Sequence, residues 1–166
     1  MVRSRAPRLK VGDYIGRRGY LLTICTYQRL PLLSTAELVE SLLVQFRQCG
    51  DSSHFANHAY SFMPDHVHFV VEGRRADSDF CELARRWKSQ TSFVFKQTNR
   101  RRLWQRSFYD HVMRDAAEMA AFAIYVIDNP VRAGLPDARR RYPFIGSDTM
   151  TLDEIRSRKL ARPWPV

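Results

Sequence analysis

The sequence predicts an α+β fold of the ferredoxin-like, split βαβ type, with a four-stranded antiparallel sheet, helices packed on it and one extra C-terminal helix. Three observations predict it: strand and helix patterns follow one another as βαββαβ, a Pro-Asp dipeptide joins two strands, and a further apolar helix follows the fourth strand. The 166 residues suit one domain. We expect a basic N-terminal arm at 1–18, the domain at 19–146 and a basic C-terminal tail at 147–166.

The first strand and the first helix are predicted from the pattern of apolar residues. Residues 20–26 mix apolar and β-branched side chains, which is typical of a strand. Residues 36–48 predict a helix, because they carry an apolar stripe at helical spacing that consists of Leu38, Leu42, Leu43 and Phe46. Ser34 or Thr35 can cap this helix, and Gly50 is predicted to end it.

The second and third strands are predicted to form a hairpin. Residues 55–63 and 66–72 have strand composition, and Pro64-Asp65 between them is typical of a tight turn. We therefore expect the two strands to pair antiparallel. In the split βαβ topology the third strand lies at the centre of the sheet.

The second half of the chain is predicted to hold two helices and one strand. A long helix covers residues 77–99, starting at residue 77 or 78, and residues 108–113 form the fourth strand. The extra helix covers residues 116–128, and Asn129-Pro130 is expected to end it because proline has no N–H for the helical hydrogen bonds. A short helix is expected in the tail, at 152–159.

The net charge of +10 indicates a polyanionic partner, either a nucleic acid or an anionic membrane. Aromatic residues are interleaved with the basic clusters. Cations for phosphates together with rings for unstacked bases are typical of single-stranded nucleic-acid binding. No apolar stretch is long enough to span a membrane, no secretory leader is recognisable and no long basic amphipathic helix is present, so we expect a cytoplasmic protein that does not bind a membrane.

Cysteine usage excludes two further classes of protein. Cys25, Cys49 and Cys81 are odd in number and widely spaced, and no CxxC pair is present. This pattern fits neither a disulfide framework nor a cysteine zinc site. We expect three reduced thiols that are mostly buried.

Two histidines on the predicted third strand are the first candidates for a functional site. His66 and His68 are separated by one residue, so they point to the same face of the sheet, while Val67 points to the other. Two imidazoles on a rigid face suit a divalent metal ion. The pair alone is weak support, because histidines are also ordinary polar residues of a sheet face.

Two residues of the extra helix are the next candidates. Tyr125 and Asn129 are four residues apart and share a helix face. If this helix packs on the histidine strand, a phenol nucleophile and an amide ligand would meet a metal that polarises the phosphate under attack. The alternatives are a tyrosine of the core and an asparagine that caps the helix. His111 could assist proton transfer or be structural.

Four segments together match a known family. They are residues 23–33 with Arg29-Leu30-Pro31-Leu32, residues 63–68 with Met-Pro-Asp-His-Val-His, residues 103–111, and residues 125–135 with Asn-Pro-Val-Arg-Ala-Gly. From about residue 20 to residue 146 the chain resembles the REP-associated tyrosine transposases, which are IS200-like, single-tyrosine transposases of the HUH endonuclease superfamily.

The resemblance implies roles for individual residues. Tyr125 would be the nucleophile, and His66, His68 and Asn129 would hold a divalent ion, Mg²⁺ or Mn²⁺. Many insertion-sequence relatives carry glutamine at the position of Asn129, so the asparagine favours the REP-associated branch. Basic residues would face DNA, and these are Arg5, Arg17, Arg18, Arg85, Lys88, Arg100, Arg101, Arg102, Arg106, Arg132, Arg139, Arg140 and Arg141.

The resemblance also implies an activity. The expected protein is a metal-dependent endonuclease and strand transferase that cleaves single-stranded DNA beside hairpins (REP-like palindromes) through a 5′-phosphotyrosine intermediate. It would act in the bacterial cytoplasm, associated with the nucleoid, as a monomer or a homodimer. Two alternatives stay open: a non-catalytic, domesticated single-stranded nucleic-acid-binding protein of the same fold, and a metal-dependent phosphoesterase that uses water.

Overall fold

A computed structural model describes residues 14–135 and 142–157. The strands are β1 (Gly19–Cys25), β2 (Phe55–Met63), β3 (His66–Gly73), β4 (Tyr109–Val112) and β5 (Ile145–Gly146). The helices of the described residues are α1 (Ala36–Ser53), α2 (Phe80–Asn99), α3 (Ala116–Arg132) and α4 (Leu152–Ser157). A single 3-10 turn, Tyr27–Arg29, lies between β1 and α1.

The strands form one antiparallel sheet in the order β4-β1-β3-β2-β5. The first four strands have the ferredoxin-like order, and β3 lies in the centre, as predicted. β5 is a fifth strand where four were predicted, and it pairs Gly146 with Tyr60 and Ile145 with Ser61. A strand of two residues has too little pattern to be recognised in a sequence, and it forms here because the edge of β2 is available for pairing.

The two faces of the sheet carry different helices. α1 and α2 cover the face to which Val67, Phe69 and Val71 point, and Phe69 is stacked on Phe46 with a ring-centroid distance of 3.6 Å. α3 covers the opposite face, where its apolar side chains pack with Val70. Since side chains alternate along a strand, the even-numbered residues of β3 point towards α3. The histidine pair therefore lies on the α3 face.

α1 is longer than predicted, because it continues through Gly50 to Ser53. The prediction that Gly50 ends the helix was wrong: Gly50 is buried inside it, and the chain leaves the helix at His54, whose φ of 60° is left-handed. A glycine inside a helix costs about 1 kcal/mol relative to alanine. Burial of the apolar stripe of α1 outweighs that cost. Thr35 is the N-cap residue, although its side chain makes no capping hydrogen bond.

α3 is also longer than predicted, because it continues through Pro130 to Arg132. Proline removes one hydrogen bond, and the helix tolerates this so close to its end. The helix ends in a Schellman motif, in which the Gly134 N–H bonds the Val131 carbonyl at 3.1 Å and the Leu135 N–H bonds the Pro130 carbonyl at 3.0 Å. Gly134 has a φ of +68°. Asn129 therefore lies inside the helix and is not its cap.

The described part of the tail packs on the domain. α4 lies where a short helix was expected, and the remaining residues of that expected helix, 158–159, lie outside the described ranges. Ile155 of α4 is fully buried in the cluster formed with α3. Arg156 and Asp128 approach to 3.9 Å across the same contact.

The expectations about cysteines and membranes concern the same described residues. Cys25 and Cys49 are buried, Cys81 is exposed, and all three are free thiols. Within residues 14–135 and 142–157, none of the helices is both long enough and apolar enough to cross a membrane.

Candidate active site

The candidate site lies on β3, the central strand of the sheet. His66 and His68 stand next to each other on the α3 face of β3, with ring centroids 4.8 Å apart. β3 is paired on both sides, with β1 and with β2. Strand pairing on both sides holds the backbone of the two histidines, so their side chains start from fixed positions.

The imidazole of His68 is buried and oriented by β1. Thr23 lies directly opposite His68 in the register of the two strands, and its Oγ1 is 2.7 Å from Nδ1 of the ring. Burial lowers the pKa of His68 to about 3, so the ring is neutral at physiological pH. When Nδ1 donates to the threonine hydroxyl, Nε2 keeps its lone pair for a ligand.

The imidazole of His66 is oriented by its neighbour in sequence. Nδ1 of His66 lies 2.6 Å from Oδ1 of Asp65. An ionised carboxylate can only accept, so this contact places the ring proton on Nδ1 and leaves the lone pair on Nε2. Burial lowers the pKa of His66, and the Asp65 carboxylate offsets this in part. Burial thus favours the neutral form of both rings, which is the charge state that binds metal ions.

α3 brings the tyrosine to this pair. The ring centroids of Tyr125 and His68 are 6.2 Å apart, and the two rings meet nearly edge to face. Asn129 is half-buried one turn further along the same helix face. Its side-chain amide makes no hydrogen bond within the part of the chain that the structure describes. The structure thus brings His66, His68 and Tyr125 together, and Asn129 lies one turn beyond Tyr125 on α3.

These residues fit a divalent cation. Two neutral imidazoles can each offer a nitrogen, and an amide oxygen from Asn129 can add a hard ligand of the kind that Mg²⁺ and Mn²⁺ accept. Each imidazole also has the second hydrogen bond that metal-binding histidines ordinarily make. No cluster of three His, Cys, Asp or Glu side chains occurs among the described residues. A third ligand from the described chain would therefore be another kind of donor, such as the amide oxygen of Asn129.

Arg132 adds a cation to the site. Its guanidinium carbon lies 5.1 Å from the centroid of the Tyr125 ring, in a cation–π contact. Arg132 is exposed and lies in the last turn of α3. A guanidinium stacked on a ring keeps the N–H groups along its edge available for an anion.

The basic loop between α2 and β4 lies at the histidine end of the sheet. Gln105 N–H bonds the carbonyl of Cys25, and Cys25 is the register partner of His66. The exposed arginines of this loop are Arg100, Arg101, Arg102 and Arg106. Arg102 also stacks over the ring of Tyr27, with 5.7 Å between the guanidinium carbon and the ring centroid.

The other predicted DNA-binding residues lie elsewhere. Arg17 and Arg18 precede Gly19, which pairs with Glu72 at the opposite end of β3 from the histidines. Arg85 forms an ion pair with Glu82, at 2.6 Å. Four further predicted residues lie outside the described ranges, and these are Arg5, Arg139, Arg140 and Arg141.

Lys88 has partners inside the protein. Its ammonium group donates to three backbone carbonyls, those of Gln105 at 2.8 Å and of Arg106 and Ser107 at 3.1 Å each. Three contacts match the three donors of a lysine. Lys88 thus fastens the basic loop to α2.

Sequence reasoning gave no role at the site to Thr23 or Asp65, and it named Tyr109 only among the aromatic residues interleaved with the basic clusters. Thr23 and Asp65 hold the two imidazoles, and Tyr109 is an exposed aromatic residue whose register partner is Thr23, so it lies on the same face of the sheet. Asp65 could have been recognised from the sequence, because it directly precedes His66. His111 is bonded to Glu118 near the start of α3, with 2.9 Å between Nε2 and Oε1, which is a structural contact.

The fold and the site together define a class: a ferredoxin-like sheet with a histidine pair on its central strand and a helical tyrosine facing that pair. The family model described as "Transposase IS200 like" matches residues 17–129, which is more than half of the chain and includes both histidines, Tyr125 and Asn129. The chain belongs to this family of transposases. The resemblance seen in the sequence is confirmed.

Individual relatives agree with this assignment. The chain is 24% identical to a Haemophilus influenzae protein assigned as a REP-associated tyrosine transposase, over 136 residues that cover 75% of this chain and 77% of the relative. It is 27% identical to the REP-associated tyrosine transposase of Escherichia coli K12 over 90 residues, which cover 54% of this chain and 53% of that protein.

Two solved structures share the fold. One is a REP-associated tyrosine transposase bound to a REP hairpin, with a TM-score of 0.69, 23% identity and coverage of 86% of this chain and 82% of the other. The second is a Deinococcus radiodurans protein described as a transposase, with a TM-score of 0.51, 18% identity and coverage of 78% and 97%. At these identities the likeness establishes the fold alone.

Proposed function

We propose that this transposase cleaves and rejoins single-stranded DNA with Tyr125 as its nucleophile, at a divalent ion held by His66, His68 and Asn129. The observation that carries the proposal is the 6.2 Å separation of the Tyr125 and His68 rings, which lie on elements packed against each other. A tyrosine that served only the core would not need two imidazoles beside it whose neutral form is favoured by burial. A Mg²⁺ or Mn²⁺ ion at these ligands would orient the scissile phosphate and offset its charge.

The reaction is a transesterification. Tyr125 Oη bonds to phosphorus while the bond from phosphorus to the 3′-oxygen breaks. The phenol proton leaves to solvent, and the departing 3′-oxygen takes up a proton. The products are a 5′-phosphotyrosine and a free 3′-hydroxyl. Rejoining is the reverse attack by another 3′-hydroxyl, so the reaction needs no external energy source.

Arg132 supports the same step from the solvent side. With its guanidinium stacked on the Tyr125 ring, its edge N–H groups can bond two non-bridging oxygens of a phosphate. We propose that Arg132 contacts the scissile phosphate and stabilises the charge that develops there.

We propose DNA hairpins of the REP type as the substrate. The net charge of +10 and the loop of four exposed arginines at the histidine end of the sheet suit a polyanion. A solved structure of the same fold is described as bound to a REP hairpin. Tyr109, with 63% of its surface exposed, offers a ring on which an unpaired base next to the hairpin can stack.

Trapping of the covalent intermediate tests the nucleophile. The DNA is a hairpin with a single-stranded flank, labelled at its 3′ end, because the 5′-phosphotyrosine retains the downstream strand. Tyr125→Phe should form no labelled adduct and should bind the DNA as the unmodified protein does. Tyr109→Phe is the matched control, since it removes a hydroxyl on the same face of the sheet and keeps the ring. Adduct formation by Tyr125→Phe at the unmodified rate would contradict the assignment.

The same assay separates the alternatives. EDTA and His66→Ala should each abolish cleavage. Added Mn²⁺ should restore cleavage by the EDTA-treated protein and should not restore it in His66→Ala. DNA binding with no cleavage in Mg²⁺ or Mn²⁺ would favour a non-catalytic binding protein. Cleaved DNA with no adduct at any time would favour a phosphoesterase that uses water.

A further inference from the structure

The segment between β1 and α1 is fastened to the turn that precedes His66. Thr26 N–H bonds the carbonyl of Asp65 at 2.9 Å, and Thr26 Oγ1 bonds the same oxygen at 3.0 Å. Leu33 N–H bonds the carbonyl of Pro64, also at 2.9 Å. The segment contains Arg29-Leu30-Pro31-Leu32, a motif for which the proposed reaction gives no role.

The side chain of Arg29 reaches into this turn. Its Nε lies 3.2 Å from Oδ2 of Asp65, and its Nη1 lies 2.9 Å from the sulfur of Cys25. Oδ1 of Asp65 is the oxygen that meets Nδ1 of His66. The carboxylate therefore has one oxygen on the guanidinium and the other on the imidazole.

The backbone at Arg29 is strained. Gln28 and Arg29 both have left-handed φ values, of 54° and 57°. For a residue with a side chain this conformation is sterically unfavourable. The fold maintains two such residues in succession directly where the Arg29 side chain meets Asp65. Strain of this kind is often retained where a side chain must be aimed.

We propose that Arg29 is a positioning residue of the histidine site, which acts by fixing the Asp65 carboxylate that orients His66. A carboxylate next to a histidine can rotate into solvent, and the ring then loses the contact that keeps its proton on Nδ1. The Arg29 guanidinium prevents that rotation by holding the second oxygen. Nε2 of His66 thereby keeps its lone pair and its direction towards the ligand position. This role rests on the proposed function, since it serves the binding of a divalent ion.

The test measures the ring and the metal separately. Long-range ¹H–¹⁵N NMR spectra of the metal-free protein report which nitrogen of His66 carries the proton, and titration calorimetry with Mn²⁺ reports the dissociation constant. Arg29→Gln should give a mixture of the two neutral forms of His66 and should weaken Mn²⁺ binding about tenfold, the lower end of what loss of such an outer contact costs. Arg47→Gln is the matched control, because Arg47 makes a comparable pair with Asp148 at 2.7 Å in another part of the fold.

A second variant shows whether Arg29 acts through Asp65. Asp65→Ala removes the carboxylate and keeps the backbone carbonyl that Thr26 binds. It should weaken Mn²⁺ binding at least as much as Arg29→Gln does, and the double variant should be no weaker than Asp65→Ala alone. Independent, multiplicative losses would overturn the proposal. Circular dichroism melts of each variant establish that it is folded.

The outcomes separate this inference from the proposed function. If the unmodified protein binds Mn²⁺ and Arg29→Gln binds it equally well with His66 still protonated on Nδ1, the role of Arg29 is refuted and the proposed reaction stands. If the unmodified protein binds no Mn²⁺, the metal site itself is refuted, and the role of Arg29 is refuted with it.

Discussion

Replacement of Arg132 tests whether the cation stacked on Tyr125 takes part in the proposed reaction. A hydrogen bond to a charged group contributes roughly 1.5–3 kcal/mol. Arg132 is exposed in the absence of DNA, so we take the lower end, about 1.5 kcal/mol, which is roughly a tenfold change in rate. Arg132→Gln should therefore slow adduct formation about tenfold. Arg132→Lys should form the adduct at a rate between those of the unmodified protein and Arg132→Gln, because it keeps the charge and loses the planar pair of donors.

The rate is measured in a single turnover with saturating labelled hairpin, so that weaker DNA binding does not enter it. Arg75→Gln is the control, since it removes the same charge from an exposed residue that pairs with Asp77 at the far end of β3. The control should react at the unmodified rate. If Arg132→Gln also does so, the guanidinium does not act on the transition state and its contact with Tyr125 is a surface feature only.

Two further predictions concern single residues. Tyr109→Ala should weaken binding of a hairpin with a single-stranded flank roughly tenfold, as expected for one base–aromatic stack, while Tyr109→Phe binds normally in a fluorescence anisotropy titration; equal affinities would remove Tyr109 from the DNA path. Gly134→Ala should lower the free energy of unfolding by about 1 kcal/mol in urea, because the φ of +68° is left-handed and no atom of residues 14–135 or 142–157 lies within 4 Å of the added methyl group. An unchanged urea midpoint would mean that the Schellman end of α3 does not need glycine.

Much of the fold follows from local patterns in the sequence. β2 has the predicted bounds, and β3 differs by one residue, because a proline-containing turn separates two apolar strands. The errors occur where packing outweighs a local signal. Gly50 and Pro130 are both helix breakers by propensity, and both lie inside helices whose apolar faces are buried. β5 has no local signal, since its two residues are a strand only through pairing with β2.

The site divides in the same way between local and distant information. The period of a strand places His66 and His68 on one face, and the period of a helix places Tyr125 and Asn129 on another. Neither pattern indicates whether the histidine face of the strand and the tyrosine face of the helix contact each other. The contact of Thr23 with His68 joins residues 45 positions apart, so it depends on the register of β1 against β3. Long-range register is what single-sequence patterns lack.

α3 is held at both ends, which bears on whether the site needs a second subunit. Near its start Glu118 is bonded to His111 of β4, and α4 buries Ile155 against its later turns. The middle of the helix is buried in the sheet through Phe122 and Val126. Tyr125 is thus fixed over the histidines of its own chain, 6.2 Å from the His68 ring. His66, His68, Tyr125 and Asn129 thus all come from one chain, and this arrangement is compatible with both the monomer and the homodimer that the sequence left open.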